Sequence, residues 1–198
     1  MPSSIGHVLG GVAAAWAVDL VPGDRAWRTA PDRASWFARA GNGLTLTCAV
    51  LAATPDLDLL FTTHRTFTHS AGAVIVVGLL AAALAANTRR PIARVACLCT
   101  AAYASHLLLD WLGADTSAPA GLQMFWPFNG NWYISGINVF RQTTRREMMT
   151  LWGVEQNTIA VVQEITVLGP IAVALWLIRV KALAGLAPEL PRRDHSAE

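Results

Sequence analysis

Long apolar stretches set the strongest limit on what this 198-residue chain can fold into. About twenty apolar residues are needed for one α-helix to cross the hydrocarbon core of a bilayer. Three of the five apolar stretches, residues 70–87, 91–112 and 158–182, are long enough. Hydrophobic residues make up 54% of the chain and charged residues only 14%, which is typical of a membrane protein. The apolar stretches are residues 5–21, 43–61, 70–87, 91–112 and 158–182.

The pattern predicts an all-α fold, namely a polytopic membrane helical bundle of about five apolar helices with a long interfacial connection over residues 113–157. The first stretch is short and Gly-rich, and it lacks the basic start of a signal peptide, so residues 5–21 are expected to be a retained helix. Pro55 interrupts the second stretch, which is expected to span only with help from its neighbours. We predict one membrane-embedded domain over residues 1–187 and a disordered tail over 188–198.

The distribution of basic residues predicts the orientation of such a bundle. If all five stretches cross, eleven of the 15 Lys and Arg residues fall on one side, which is therefore predicted to be cytoplasmic. The N-terminus of a multi-pass inner-membrane protein would then lie outside. A net charge of +2, with arginines scattered between apolar runs, argues against a nucleic-acid partner. The bilayer is the expected partner.

The polar residues that interrupt the apolar chain are of the types that bind metals. His106 and Asp110 are four apart, so a helix would project both from one face, as two ligands of one cation or as a hydrogen-bonded pair. Nitrogen and oxygen ligands of this kind suit zinc, with manganese or iron as alternatives. The complete set of predicted metal ligands is His7, Asp58, His64, His69, His106 and Asp110.

Three further residues are candidates for a catalytic role. Asp56 or Glu164 would act as general base, and Arg65 would either grip a phosphate or form a salt bridge to Asp56 or Asp58. Pro55 is expected to extend the backbone and to place both aspartates on one side. In the predicted topology all these residues fall on the non-cytoplasmic membrane face, where Thr68 or Ser70 can cap the following helix.

The connection between the fourth and fifth stretches is rich in aromatic residues and arginines. Its tryptophans are typical of side chains that anchor at the membrane interface. Residues 137–154 mix apolar residues with arginines, which favours a surface-lying amphipathic helix that attracts anionic lipid head groups. The arginines are Arg141, Arg145 and Arg146.

The motifs resemble those of a family of bacterial and archaeal membrane-bound metal-dependent hydrolases, some of them under the control of the SOS repressor LexA. The resemblance is carried by His7, Pro-Asp-x-Asp (55–58), His-Arg-x-x-Thr-His-Ser (64–70) and Ser-His-x-x-x-Asp (105–110). It continues to the Phe-Trp-Pro-Phe segment at residues 125–128. The resemblance implies an inner-membrane protein with hydrolase activity.

A more distant similarity is to zinc-dependent phospholipase C and the fungal single-strand nucleases. The similarity would place one zinc on Asp58 or Asp56, His69, His106 and Asp110. Those enzymes add ligands from two later histidines and a glutamate, but this chain has no histidine between His106 and His195. Glu164 offers one replacement carboxylate, so one or two ions are expected rather than three.

The sequence therefore favours a metal-dependent hydrolase acting on a lipid or other phosphoester. The alternatives are a non-enzymatic metal or proton transporter and a structural metal site. A transporter needs access from both faces, and on the cytoplasmic side only Asp19 interrupts an apolar run. Oligomeric state does not follow from the sequence.

Overall fold

The computed structural model of the protein describes residues 1–20, 43–60, 64–145 and 147–184. For residues 182–184 it describes the backbone only. The predicted tail therefore lies outside the described residues. In those that are described, five α-helices and two short 3₁₀ helices are present and no β-strand, which confirms the all-α fold. The α-helices are α1 (Ser4–Asp19), α2 (Gly43–Ala53), α3 (Ala71–Asn87), α4 (Ile92–Leu112) and α5 (Leu151–Ala184).

Three of the described helical segments are long and apolar enough to cross a membrane: Gly43–Leu60, Ile92–Leu112 and Leu151–Lys181. The first of them reaches that length because the 3₁₀ helix Thr54–Leu60 continues α2 beyond Pro55. Proline ends the α-helical hydrogen bonding there without ending the helical path. By contrast α3, with 17 residues, falls among the shorter apolar helices. The expected lengths of the second and third segments are thus reversed.

Helix α1 packs against α2, α4 and α5, and α3 packs against α4. The glycines that make α1 look weak as a membrane span allow this close packing. A Cβ on Gly11 would lie against the Ala52 side chain and 3.1 Å from the Cys48 carbonyl oxygen of α2. Small residues at such contacts let helix backbones approach closely in lipid, where the hydrophobic effect does not drive association.

A buried ion-pair cluster joins three helices at the end of the bundle where α1 ends. The Asp19 carboxylate accepts hydrogen bonds from Arg94 Nε at 2.9 Å and from Arg179 Nε at 3.0 Å. All three residues are buried. The sequence indicated only Asp19 here, because three residues on distant helices carry no common local pattern. An apolar cluster that includes Leu98 and Cys99 of α4 joins that helix to α1, α2 and α3.

The connection between α4 and α5 is not the amphipathic helix expected over residues 137–154, so that prediction is wrong. The chain pairs with the end of α4, with Val139 N donating to Leu112 O at 2.8 Å and Ala114 N donating to Phe140 O at 2.8 Å. Backbone groups that bond across the connection are not available for helical bonds to residues four positions away. The helix begins only at Leu151.

Candidate metal centre

His106 and Asp110 occupy the last turns of α4 and meet as their spacing predicts. His106 Nε2 lies 3.2 Å from Asp110 Oδ2. On the other side of the ring, Nδ1 donates to the Ala52 carbonyl oxygen at 2.7 Å. This bond fixes the ring orientation and makes Nε2 the nitrogen that points at the carboxylate, as in histidines that bind metals.

His7, in the second turn of α1, completes this half of the centre. Its ring stacks on His106 with the centroids 3.6 Å apart, and its Nε2 lies 3.3 Å from Asp110 Oδ1. Both His7 and Asp110 are buried, yet within the described residues neither ring nitrogen and neither carboxylate oxygen has a hydrogen-bond partner. Burying polar groups unpaired is costly. A cation between them would remove that cost, so these residues fit a metal.

His69 connects this group to a second one. Its Nε2 lies 3.1 Å from His106 Nε2, 3.4 Å from Asp110 Oδ2 and 3.7 Å from Asp56 Oδ1. Two ring nitrogens at that separation need a shared proton or a metal ion between them. Two groups of ligand residues result, and within each group the ligand atoms lie within 4.8 Å of one another. The first group is His7, His106 and Asp110, and the second is Asp56, His64 and His69.

The two aspartates of the Pro-Asp-x-Asp motif point in different directions. Residues 54–60 form a 3₁₀ helix, in which side chains two positions apart are about 240° apart, so the expectation that they share a side is wrong. Asp56 faces His69 and His106, whereas Asp58 lies behind the histidines.

Asp58 orients other site residues. Its carboxylate contacts His64 Nδ1 at 2.5 Å and His69 Nδ1 at 3.2 Å, and it accepts a bond from Thr68 Oγ1 at 2.6 Å. The backbone N–H of Arg65 donates to it at 3.0 Å. A carboxylate behind a ligating histidine fixes the ring and raises its basicity, and this geometry suits Asp58 better than direct ligation.

The carboxylates around His69 make the centre attractive to cations. Burial alone would lower the pKa of this imidazole, but Asp56 and Asp58 act in the opposite sense and raise the pKa of His69 to about 9. A divalent ion experiences the same negative charge that favours the proton.

Arg65 forms a salt bridge with Asp115 and not with Asp56 or Asp58, the partners that the sequence suggested. Its guanidinium carbon also lies 5.6 Å from the centre of the Trp132 ring. Burial tends to raise the pKa of Asp115, but hydrogen bonds from Ser117 and the Gly121 N–H, together with the Arg65 charge, hold the pKa below its usual value. The Arg65 side chain is therefore engaged in holding the connection onto the site.

Glu164 lies deeper in its helix than expected, because α5 begins at Leu151 and not near residue 158. Its buried carboxylate accepts hydrogen bonds from Ser3 N at 2.7 Å and from Ser3 Oγ. A carboxylate at a helix N-terminus is stabilised by the unpaired N–H groups there. The structure thus joins Glu164 to the start of α1, four residues before His7, and its predicted catalytic role is not supported by these contacts.

A cavity of about 700 Å³ borders the centre on the side of His64, and its lining includes Arg145, Trp152 and Gln156. Arg145 Nη1 lies 2.9 Å from His64 Nε2, and Nη2 lies 3.5 Å from Asp56 Oδ1. The sequence indicated Arg145 only as one of several lipid-attracting arginines. Its contact with a residue 81 positions away has no local signal.

We expect Asp58→Asn to weaken metal binding by about 10- to 100-fold, because the amide supports His64 and His69 less well than a carboxylate does. Zinc affinity measured by competition with a chelator tests this, with the exposed Thr47→Ala of α2 as a control of unchanged affinity. A variant that binds zinc as tightly as the original protein would contradict the role given to Asp58.

All predicted metal ligands except Asp58 thus have a ligand-type atom in one of the two groups at one end of the bundle. Which membrane face this end occupies stays a prediction. Neither the curated proteins nor the solved structures gave a match to this chain. A family model described as YdjM inner membrane protein matches residues 1–184. The chain therefore belongs to the YdjM inner membrane protein family.

Proposed function

We propose that this inner-membrane protein is a metal-dependent hydrolase that acts on a lipidic phosphoester. One observation carries the proposal: imidazole nitrogens and carboxylate oxygens from four separate segments converge in a buried centre, and several of them have no other partner in the described structure. Such a set of nitrogen and oxygen donors fits zinc, and it would also accept manganese or iron.

The two ligand groups fit one or two ions. His7, His106 and Asp110 would hold the first, while Asp56, His64 and His69 would hold a second. Asp110 contacts histidines of both groups through its two oxygens, which suits a shared ligand. A divalent metal at this place would supply Lewis acidity, for activating water and for offsetting charge on a phosphoryl group.

The chain's own residues supply proton transfer and orientation. Asp56 is the more accessible of the central carboxylates, with 13% of its side chain exposed, against 1% for Asp110. It contacts the buried histidines and Arg145 of the cavity lining, so with a single ion in the first group it suits a general base acting on water. Asp58 and the Ala52 carbonyl keep the histidine rings in place, so the centre is preorganised before substrate arrives.

The surroundings of the cavity favour a substrate with an apolar part. Trp152 lines the cavity and belongs to the first turn of the helical segment Leu151–Lys181, which is apolar enough to cross a membrane. The neighbouring Leu151 is 92% exposed. Leu60, in the 3₁₀ helix that carries Asp56, is 79% exposed. Large exposed apolar side chains beside a polar cavity suit a lipid whose head group enters the site.

Within the described residues, the feature that favours a transporter is the ion-pair cluster around Asp19, because it places charged groups at the other end of the same helices. Its carboxylate is already bound by two arginines, and the apolar cluster with Leu98 and Cys99 lies along α4 before the metal ligands. Neither feature offers a cation a continuous set of ligands. We therefore favour hydrolysis.

Hydrolysis by the full-length protein in liposomes tests the proposal. We expect the purified protein to contain one or two divalent ions per chain and to release phosphate or a head group from short-chain phosphatidic acid and related phospholipids. Chelation should abolish the activity and added zinc should restore it. Metal-loaded protein that cleaves none of these lipids, but moves zinc across the liposome membrane, would instead support the transporter.

A further inference from the structure

We propose that Arg145, together with the cavity beside His64, binds the phosphoryl oxygens of the substrate. This inference rests on the proposed function, because it names the residue that would recognise the anionic group of that substrate. The sequence suggested Arg65 for this role. We assign the role instead to Arg145, which lies eighty positions further along the chain.

The position of Arg145 supports this assignment. Its guanidinium lies between the cavity and the second ligand group, 2.9 Å from His64 Nε2 and 3.5 Å from Asp56 Oδ1. The side chain is 37% exposed and therefore reachable from the cavity. A planar guanidinium can donate two parallel hydrogen bonds to a phosphate, and beside a metal it would stabilise the same developing charge.

The other charged side chains that line the cavity are less suited to an anion. Arg65 and Asp115 form a salt bridge with each other. Glu147, which is exposed, would repel an anion rather than bind it. Among the charged side chains described around the cavity, Arg145 thus combines positive charge, exposure and contact with the ligand group.

The hydrogen bond between Arg145 and His64 gives this site a link to metal binding. His64 Nδ1 lies 2.5 Å from Asp58 Oδ1 and donates its proton there, which leaves one lone pair on Nε2. Because Arg145 donates to that lone pair, coordination by His64 and the bond from Arg145 exclude each other. Once His64 is a ligand, Nη1 of Arg145 would be released for an oxyanion, while Nη2 lies 3.5 Å from Asp56 Oδ1.

Calorimetric titration of the zinc-loaded full-length protein in detergent tests the proposal. The probes are inorganic phosphate and a short-chain phosphonate analogue of phosphatidic acid, which cannot be hydrolysed. We expect Arg145→Gln to weaken binding of both probes at least about tenfold, which corresponds to loss of one charge-assisted contact. The control is Arg141→Gln, an exposed arginine of the same segment, which should bind as the original protein does. Tighter binding of the lipid analogue than of phosphate would identify a lipid head group, and equal binding a soluble phosphoester.

Metal content measured on the same samples separates the possible failures. Unchanged zinc with weakened probe binding in Arg145→Gln supports the proposal. Equal probe binding in Arg145→Gln and the original protein overturns it, and so does an equal loss in Arg141→Gln. Loss of zinc in Arg145→Gln also overturns it, because the arginine would then position His64. If the original protein binds no metal, the proposed hydrolase fails, and the same titration without zinc decides the anion site by itself.

Discussion

Replacing His106 and Asp110 together by alanine is expected to abolish metal binding at the first ligand group and, with it, all hydrolysis. The two side chains supply adjacent ligands of the first group, and Asp110 also contacts His69 of the second. Removing both leaves His7 without a second ligand in its own group. Few sites retain a divalent ion at low concentration with that many ligands removed. The measurement is metal content of the purified protein after dialysis.

A control variant on the same helix makes this result specific. Cys97 is exposed on α4, so Cys97→Ala should keep the full metal content. Circular dichroism of the double variant should retain the helical spectrum, since the ligands lie at a helix end and α4 is held by its apolar contacts. A double variant that keeps the original metal content would overturn the metal centre.

Replacing Asp19 by alanine is expected to lower the stability of the bundle by about 3 to 5 kcal/mol, the range measured when one partner of a buried ion pair is removed. The variant takes away the carboxylate that Arg94 and Arg179 both contact, while both arginines stay buried. Unfolding in detergent mixtures of increasing denaturing strength measures the change. Metal content in the folded variant should be unchanged, because the cluster involves none of the metal ligands.

Lys181→Gln provides the matched control for the Asp19 variant, because it removes an exposed positive charge near the same end of α5. Its effect should be within about 0.5 kcal/mol, as for most surface substitutions. If Asp19→Ala unfolds at the same denaturant concentration as Lys181→Gln, the ion-pair cluster does not stabilise the bundle.

Features that depend on local pattern could be predicted from the sequence. Apolar runs predicted the helices, and four-residue spacing brought His106 and Asp110 together because a helix repeats every 3.6 residues. The sequence named Thr68 or Ser70 as the residue that caps α3, and the cap is Ser70, whose hydroxyl oxygen accepts a hydrogen bond from Ala73 N at 3.1 Å. The hydroxyl of Thr68 instead donates a hydrogen bond to the Asp58 carboxylate.

Features that depend on distant partners could not be predicted in the same way. The direction of Asp58 depends on a 3₁₀ helix that forms where a proline suggested extended chain. The salt bridge of Arg65 to Asp115 joins residues on either side of α3 and α4. In each case several partners were chemically acceptable, and the packing of the helices decided among them.

The bond between Ser3 and Glu164 joins the N-cap of α1 to α5, the last of the described helices, across 161 positions. During synthesis α1 emerges long before α5, because chains are made from the N-terminus. The bond from Ser3 to Glu164 can therefore form only after α5 has docked, whereas His7 already has His106 of α4 as a stacking partner. A chain stopped before α5 should therefore keep every proposed ligand but lack the bond that holds Ser3, and with it the start of α1, in place.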